Sequence, residues 1–217
     1  MSTQIEDLVI WGHGGFGREV AWLAETITSP RSVVTCFIND DEAAHGALVN
    51  EIPVTSLDAA ASLSSSRAMV VAVGSPAVRE RLVMRAADAG WHFPALLHPR
   101  IETSRWVSIG DGVIICAGCI LTTNIRLGDH VHINLDCTIG HDVVLEDYVT
   151  LAPGVHVSGR VHIQRRAYVG TGATIINGSA EQPLVIGADA VVGAGACVTR
   201  SVPEGATVVG VPARSRQ

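Results

Sequence analysis

From Val107 to Gly178 the chain repeats every six residues: VSIGDG, VIICAG, CILTTN, IRLGDH, VHINLD, CTIGHD, VVLEDY, VTLAPG, VHVSGR, VHIQRR, AYVGTG, ATIING. After a skip of five residues, Ser179 to Pro183, the period resumes as LVIGAD, AVVGAG and ACVTRS. In all fifteen units the third slot is Ile, Leu or Val, and the first is a small or aliphatic residue. Slots one and three lie two apart, so in extended chain they face the same side. This period is the signature of a parallel β-helix. Each hexad forms one flat side of a prism, three sides make a coil of eighteen residues, and coils stack about 4.8 Å apart. The aliphatic slots fill the prism, so each coil buries its core only against its neighbours. Gly in slot four (110, 128, 140, 170, 187 and 193) suits a corner where a Cβ would clash or φ is positive. Residues eighteen apart then stand directly above one another.

At 217 residues the chain has room for one large or two small domains. It is 47% hydrophobic yet holds only nine aromatic residues, which suits a narrow core of small aliphatic side chains. A net charge of −6 and a pI near 5.8 argue against nucleic-acid or membrane-surface partners. All fifteen basic residues are Arg, which excludes a Schiff-base lysine and a Walker-type lysine. No apolar run reaches the roughly 18–20 residues of a membrane span. Met1 to Asp7 is polar and acidic, unlike a signal peptide, so a cytoplasmic protein is expected. Five cysteines, an odd number, argue against a disulfide framework. Cys116 and Cys119 form a C-x-x-C without a second pair at zinc-finger spacing. Cys119 and Cys137, eighteen apart in slot one, are expected to stack inside the prism as buried thiols.

Residues 1–95 follow another logic. Leu8 to Trp11 and Val33 to Ile38 read as strands, the second ending in Asn39-Asp40-Asp41, and Met69 to Val73 as a third, ending in Gly74-Ser75-Pro76. Helical periodicity covers Arg18 to Thr26 and Ala77 to Ala89. The alternation predicts a small Rossmann-like parallel α/β domain over 1–95, followed by the β-helix over 96–217. Between the first strand and first helix lies Gly12-His13-Gly14-Gly15-Phe16-Gly17, a G-x-G-x-x-G loop able to hold phosphate on backbone N–H groups. Three readings stay open: a tight turn only, a mononucleotide or nucleotide-sugar site, or a dinucleotide redox site, which needs two mononucleotide halves. In the second, Asn39 and Asp40 would accept hydrogen bonds from base or ribose, and Gly74 would allow close approach.

Metal sites on hexapeptide β-helices, as in γ-type carbonic anhydrases, need histidines aligned across coils. None of His130, His132, His141, His156 and His162 are 18 or 36 residues apart, so no metal is expected. His141 stands out in the outward corner Ile139-Gly140-His141-Asp142, with Thr123 under His141 and Asn124 under Asp142. Such a polar cluster on an aliphatic prism points to general-base chemistry; the plain alternative is a solvated surface histidine.

Together the two halves resemble the bacterial sugar acetyltransferases, both sialic-acid O-acetyltransferases and N-acetyltransferases of nucleotide-linked 4-amino-6-deoxy sugars. The marks are Trp11 to Val20 (WGHGGFGREV), the stretch from Asn124 to the Gly-His-Asp at 140–142, and the closing Val209-Gly210-Val211-Pro212-Ala213-Arg214. The resemblance, not the period, implies a left-handed coil, since most parallel crossovers are right-handed. It implies His141 as base with Asp142 beside it, joined by Asn124 from the residue reading. It implies acetyl-CoA in a groove between β-helices of a homotrimer, at Thr150, Thr171, Gly172, Gly193 and Ala194. It implies a nucleotide-sugar (UDP- or GDP-linked) on the N-terminal domain, at Gly12, His13, Gly14, Asn39, Asp40 and Gly74. The insertion at Ser179 to Pro183 would loop out near the groove.

In the implied reaction the neutral sugar amine attacks the thioester carbonyl of acetyl-CoA and His141 takes its proton, as an imidazole does near neutral pH. Sugar O-acetylation on the same scaffold is an alternative, and a non-catalytic β-helix assembly module another. Serine acetyltransferases share the coil but carry a helical N-terminal domain that this sequence does not have.

Overall fold

The N-terminal sheet grows around one fully apolar strand. In the computed structural model, which describes residues 7–27 and 33–215, Leu8 to Trp11 of β1 (Asp7–Trp11) are all buried, as a parallel strand covered on both faces requires. The amphipathic α1 (Gly15–Ile27) turns Gly17, Val20, Ala21 and Ala24 inward at helical spacing. β2 (Val33–Ile38) pairs parallel with β1. Next come β3 (Leu48–Val49), β4 (Ile52–Thr55), α2 (Leu57–Leu63), β5 (Met69–Val71) and α3 (Pro76–Asp88). The strand order is β3-β4-β2-β1-β5, with only the β3–β4 pair antiparallel.

The sheet therefore has five strands where the sequence predicts three. β4 carries Pro53, which breaks a strand pattern, but Pro53 faces β3 in the short outer hairpin, where its missing N–H is tolerated. The Ala- and Ser-rich α2 has weak periodicity and is started by Ser56, whose hydroxyl accepts from the Ala59 N–H at 3.2 Å. The start of β1 is anchored by Asp7. Burial alone would raise its carboxyl pKa, but hydrogen bonds from Ser65, Ser66 and Ser64 hold it well below the usual range. Residues 1–6, read in the sequence as polar, lie outside the described residues.

The chain divides into two compact units, 1–96 and 97–217. The second is a left-handed β-helix of three sheets, parallel throughout except where Arg214–Ser215 closes the second face antiparallel to Thr207–Val209. The first face stacks Val107–Ile109, Ile125–Leu127, Val144–Leu145, Val161–Ile163 and Leu184–Ile186. The second holds Ile114–Ile115, His132–Ile133, Thr150–Leu151, Tyr168–Val169 and Val191–Val192, and the third holds Ile120–Leu121, Thr138–Ile139, His156–Val157, Thr174–Ile175 and Cys197–Val198. Partners are eighteen residues apart, as in Ile120↔Thr138↔His156↔Thr174. Past the insertion the spacing jumps to twenty-three on every face, at His162↔Val185, Tyr168↔Val191 and Thr174↔Cys197.

Slots one and three fill the prism: Val113, Ile115, Val131, Ile133, Val155 and Ile163 are fully buried. Cys119 and Cys137 lie among them, their thiols donating to the Asn134 carbonyl at 2.9 Å and the Ala152 carbonyl at 3.2 Å. The hydrogen bond with Cys119, and then burial, push the Cys137 thiol up, so it stays protonated and inert. All five cysteines are free.

The corner geometry refines the glycine rule. Slot-four glycines sit where a Cβ would strike the next coil, for example Gly140 against Gly159 N at 2.7 Å. Positive φ belongs to slot six instead, including Asn124 (54°), Asp142 (58°) and Arg160 (57°). No helix among the described residues is long and apolar enough to cross a membrane.

Candidate active site

The corner after the third-face strand Thr138–Ile139 places His141 and Asp142 outward, with side chains 51% and 43% exposed. Asp142 Oδ2 lies 2.8 Å from His141 Nδ1, and its Oδ1 accepts from Asn124 Nδ2 at 3.3 Å. One coil below, the Thr123 carbonyl accepts the Asp142 N–H at 3.1 Å. The hydrogen bond from His141, and secondarily that from Asn124, hold the Asp142 carboxyl below its ordinary range. An ionised carboxylate only accepts, so the proton on the imidazole is fixed at Nδ1 and Nε2 keeps its lone pair. The arrangement can take a proton at Nε2 and stabilise the resulting imidazolium. Asp142 sets the tautomer, and Asn124 orients Asp142 from the coil below.

Sequence reasoning missed the residue above. Gly159, eighteen after His141, lies where a Cβ would stand 2.5 Å from His141 Nε2, so its bare backbone makes room for the ring. The eighteen-residue ruler, run upward as well as downward, picks it out.

The residues expected to hold acetyl-CoA lie elsewhere on the prism. Thr171 and Gly172, with Gly193 and Ala194 a coil above, form the edge between the second and third faces, whereas His141 is on the edge between the third and the first. Thr171, Gly172 and Ala194 are exposed. Thr150, on the second face, is only 3% exposed and stands apart from them. A single chain does not bring His141 and this strip together at one corner. Among the described residues no three His, Cys, Asp or Glu side chains gather as a metal site.

In the N-terminal unit the strand order reverses between β1 and β5, and the crevice beyond their carboxyl ends is where ligands enter such sheets. Gly12, His13 and Gly14 follow β1, Asn39 and Asp40 follow β2, and Gly74 follows β5, so all six expected residues converge there. The glycines differ in job. Gly12 (φ 111°) passes so close to β5 that a Cβ would meet Ala72 O at 2.9 Å, and Gly17 packs α1 against Gly12. Gly14 and Gly74 face open space and are exposed. Asn39 Nδ2 donates to His13 Nδ1 at 3.0 Å, which leaves the His13 proton on Nε2. Asp40 is engaged by Arg85 at 2.7 and 3.2 Å, and Arg85 also lies over the Trp11 ring. The buried Arg79 of α3, which the sequence gave no reason to single out, donates to the Val73 carbonyl at 2.9 Å and ties down the loop carrying Gly74.

Residues 7–86 match the PglD N-terminal domain. A GDP-perosamine N-acetyltransferase from Escherichia coli O157:H7 is 34% identical over 207 residues, 94% of this chain and 94% of that one. The chain belongs to this sugar N-acetyltransferase family. Among solved structures, WeeI from Acinetobacter baumannii AYE is 39% identical with a TM-score of 0.90, over 99% of this chain and 100% of that one. A histidine-to-asparagine mutant of perosamine N-acetyltransferase from Caulobacter crescentus, in complex with CoA and GDP-perosamine, is 29% identical with a TM-score of 0.87. That match covers 100% of both chains. Within the family the recurrent unit is thus this two-part chain, and both of its candidate sites lie inside the matched length.

Proposed function

We propose that this sugar N-acetyltransferase moves the acetyl group of acetyl-CoA onto the amine of a nucleotide-linked 4-amino-6-deoxy sugar, with His141 as general base. The carrying observation is the exposed Asn124–Asp142–His141 relay, which leaves Nε2 as a proton acceptor at a polar corner of a prism with an aliphatic core. The amine attacks the thioester carbonyl carbon and its proton passes to Nε2. The tetrahedral intermediate then expels the CoA thiolate, which the imidazolium reprotonates. Thiolate is a good leaving group, so positioning supplies much of the acceleration.

The acceptor's nucleotide is assigned to the β1–β5 crevice, with phosphate at Gly12 and Gly14, His13 Nε2–H as a donor, and Gly74 as the opening. Asn39 orients His13, and Asp40 supports the crevice through Arg85. That relatives of this length are GDP-perosamine N-acetyltransferases supports an amino sugar over a hydroxyl acceptor, and makes GDP-perosamine the first substrate to try. Acetyl-CoA is assigned to the strip of Thr171, Gly172, Gly193 and Ala194; Thr150, buried on the second face, is left out of it. Because that strip and His141 occupy different edges of one prism, the proposal includes a homotrimer whose neighbouring copies close the groove, and a cytoplasmic setting. Light scattering should then give about three times 22.7 kDa. The deciding assay offers the purified chain acetyl-CoA with GDP-perosamine, with a UDP-linked 4-amino sugar, and with the matching 4-hydroxy sugars. Free thiol and the acetylated sugar are measured together. Transfer to neither amino sugar would overturn the proposal, and transfer only to hydroxyls would convert it to O-acetylation.

A further inference from the structure

The insertion at Ser179 to Pro183 has no place in the repeat, yet it is an ordered turn. The Ser179 N–H donates to the Gln182 carbonyl at 3.0 Å, and the Gln182 N–H to Ser179 Oγ at 3.0 Å. It walls a groove of about 390 Å³ that opens beside Asp142. Along the floor Arg126, Val144 and His162 stack in register on the first face, and Arg160 stands one coil above Asp142.

The charges in this groove differ from those elsewhere on the coil. Arg165 is paired with Asp147 at 3.1 Å and Arg166 with Asp189 at 2.6 Å. His162 is paired with Glu146 at 2.6 Å. Among the described residues no carboxylate pairs with the exposed Arg126 or with Arg160. Asp142 and Glu181 feel the field of Arg160, but Asp142 is held by His141 and Asn124, and Glu181 chiefly by its own backbone N–H and by Ser179. Val144 in the floor and Ala180 and Pro183 in the wall make the lining partly apolar, which strengthens a cation's pull on an anion inside.

We propose that this groove is a diphosphate subsite, with Arg126 and Arg160 as its two forks and the insertion as its wall. Guanidinium groups grip phosphate oxygens in pairs, and two of them suit two linked phosphates. The inference rests on the function proposed above, in which CoA and the nucleotide-sugar each carry one diphosphate; if the nucleotide-sugar is the source, its diphosphate lies here and the Gly12–Gly14 loop holds only its nucleoside end. The groove thus sets how one reactant lies as it reaches His141.

The test is calorimetry and steady-state kinetics on the full chain, wild type against R126Q and R160Q, with CoA, GDP and inorganic pyrophosphate as separate probes. Each variant should weaken pyrophosphate and one nucleotide by about tenfold to a hundredfold, the effect of a lost charge-assisted hydrogen bond. If the source is CoA, KM rises for acetyl-CoA but not for acetyl-pantetheine, which has no diphosphate. If it is the nucleotide-sugar, GDP weakens and KM for the sugar rises instead. Replacing Ser179–Pro183 by a direct join should weaken the same ligand. Wild-type affinities for all three probes in both variants would overturn the subsite and leave the proposed function intact. A wild-type chain that binds neither CoA nor GDP would overturn both.

Discussion

Along the edge between the first and second faces of the prism, side chains are answered one coil away; along the edge between the third and first, they stop short at His141. The first of these edges is a ladder. Asp129 Oδ1 accepts the Asp111 N–H, Asp147 Oδ1 accepts the Asp129 N–H, Arg165 pairs with Asp147 and Arg166 with Asp189. His130 and Tyr148 stack at 5.2 Å, and Arg165 lies over the Tyr148 ring. The backbone is the same on both edges, since slot six is left-handed at His130, Tyr148, Arg166 and Asp189 as at Asn124, Asp142 and Arg160. The difference lies in slot five. Above Asp147 stands Arg165, which neutralises it; above His141 stands Gly159, which leaves the imidazole its space. A repeat fold thus makes a site by omitting a side chain from one ladder.

The largest effect should come from the base itself. His141→Ala should lower kcat by about 10²–10⁴, the usual contribution of a general base, with CoA affinity and folding unchanged. A variant with full kcat between about pH 6 and 9 would make His141 one more surface residue and erase the contrast between the edges. Next is Gly159→Ala, whose φ suits any residue but whose Cβ would stand within 2.5–2.9 Å of the imidazole. Displacing the base by about 1 Å should reduce kcat by about 10- to 100-fold while melting is unaffected. The same substitution at Gly172, which faces open space, serves as a control for stability: its φ of 68° should make alanine mildly destabilising there.

The prism was legible because its period is physically forced: an aliphatic residue in slot three of every hexad leaves only one register, and the spacing of eighteen follows. The same ruler brings Asn124 and Asp142 together from the sequence alone. Glycine count could not assign positive φ to slot six, because glycine is as frequent in slot four as in slot six (112, 118, 154, 172, 178 and 195), and Asn, Asp, His, Tyr and Arg share slot six. In the N-terminal unit β4 and α2 were hidden, one by Pro53 and the other by a run of alanines and serines without a strong apolar stripe. The convergence of Gly12, Asn39 and Gly74 needed the strand order, which no local pattern carries. Arg79 was invisible for a related reason: a buried arginine reads as a surface one until the helix is placed.

Asp142→Asn should cost less than either change above, about tenfold in kcat, because the amide oxygen still accepts from Nδ1–H but no longer stabilises an imidazolium. Its pH dependence sharpens the comparison. The wild-type carboxyl is held below its ordinary range by His141 and then Asn124, so it stays ionised across the working range. On the acid side kcat/KM should therefore break only with the base and with the substrate's own amine, and Asn124→Ala should add no further break above about pH 5. A further ionisation of the enzyme there in the wild type would show that Asp142 is not held by the relay.

The smallest effect belongs to the ladder. Arg166→Gln removes a two-pronged pair with Asp189 whose side chains are 32% and 40% exposed, so the loss should be about 0–1 kcal/mol, with kcat unchanged. The hydrogen bond from Arg166 is the main cause that keeps the Asp189 carboxyl below its usual range. A depressed carboxyl contributes stability that is present above its unfolded value and is lost as pH falls through the folded one. The gap between wild type and Arg166→Gln in urea midpoint should therefore be open at neutral pH and close on acidification below the ordinary carboxylate range. A gap that persists in acid would mean Arg166 stabilises the edge by packing its stem rather than by charge. A fall in kcat as large as that of Asp142→Asn would mean that the closed edge takes part in catalysis too, most directly as the surface a neighbouring copy presents to His141.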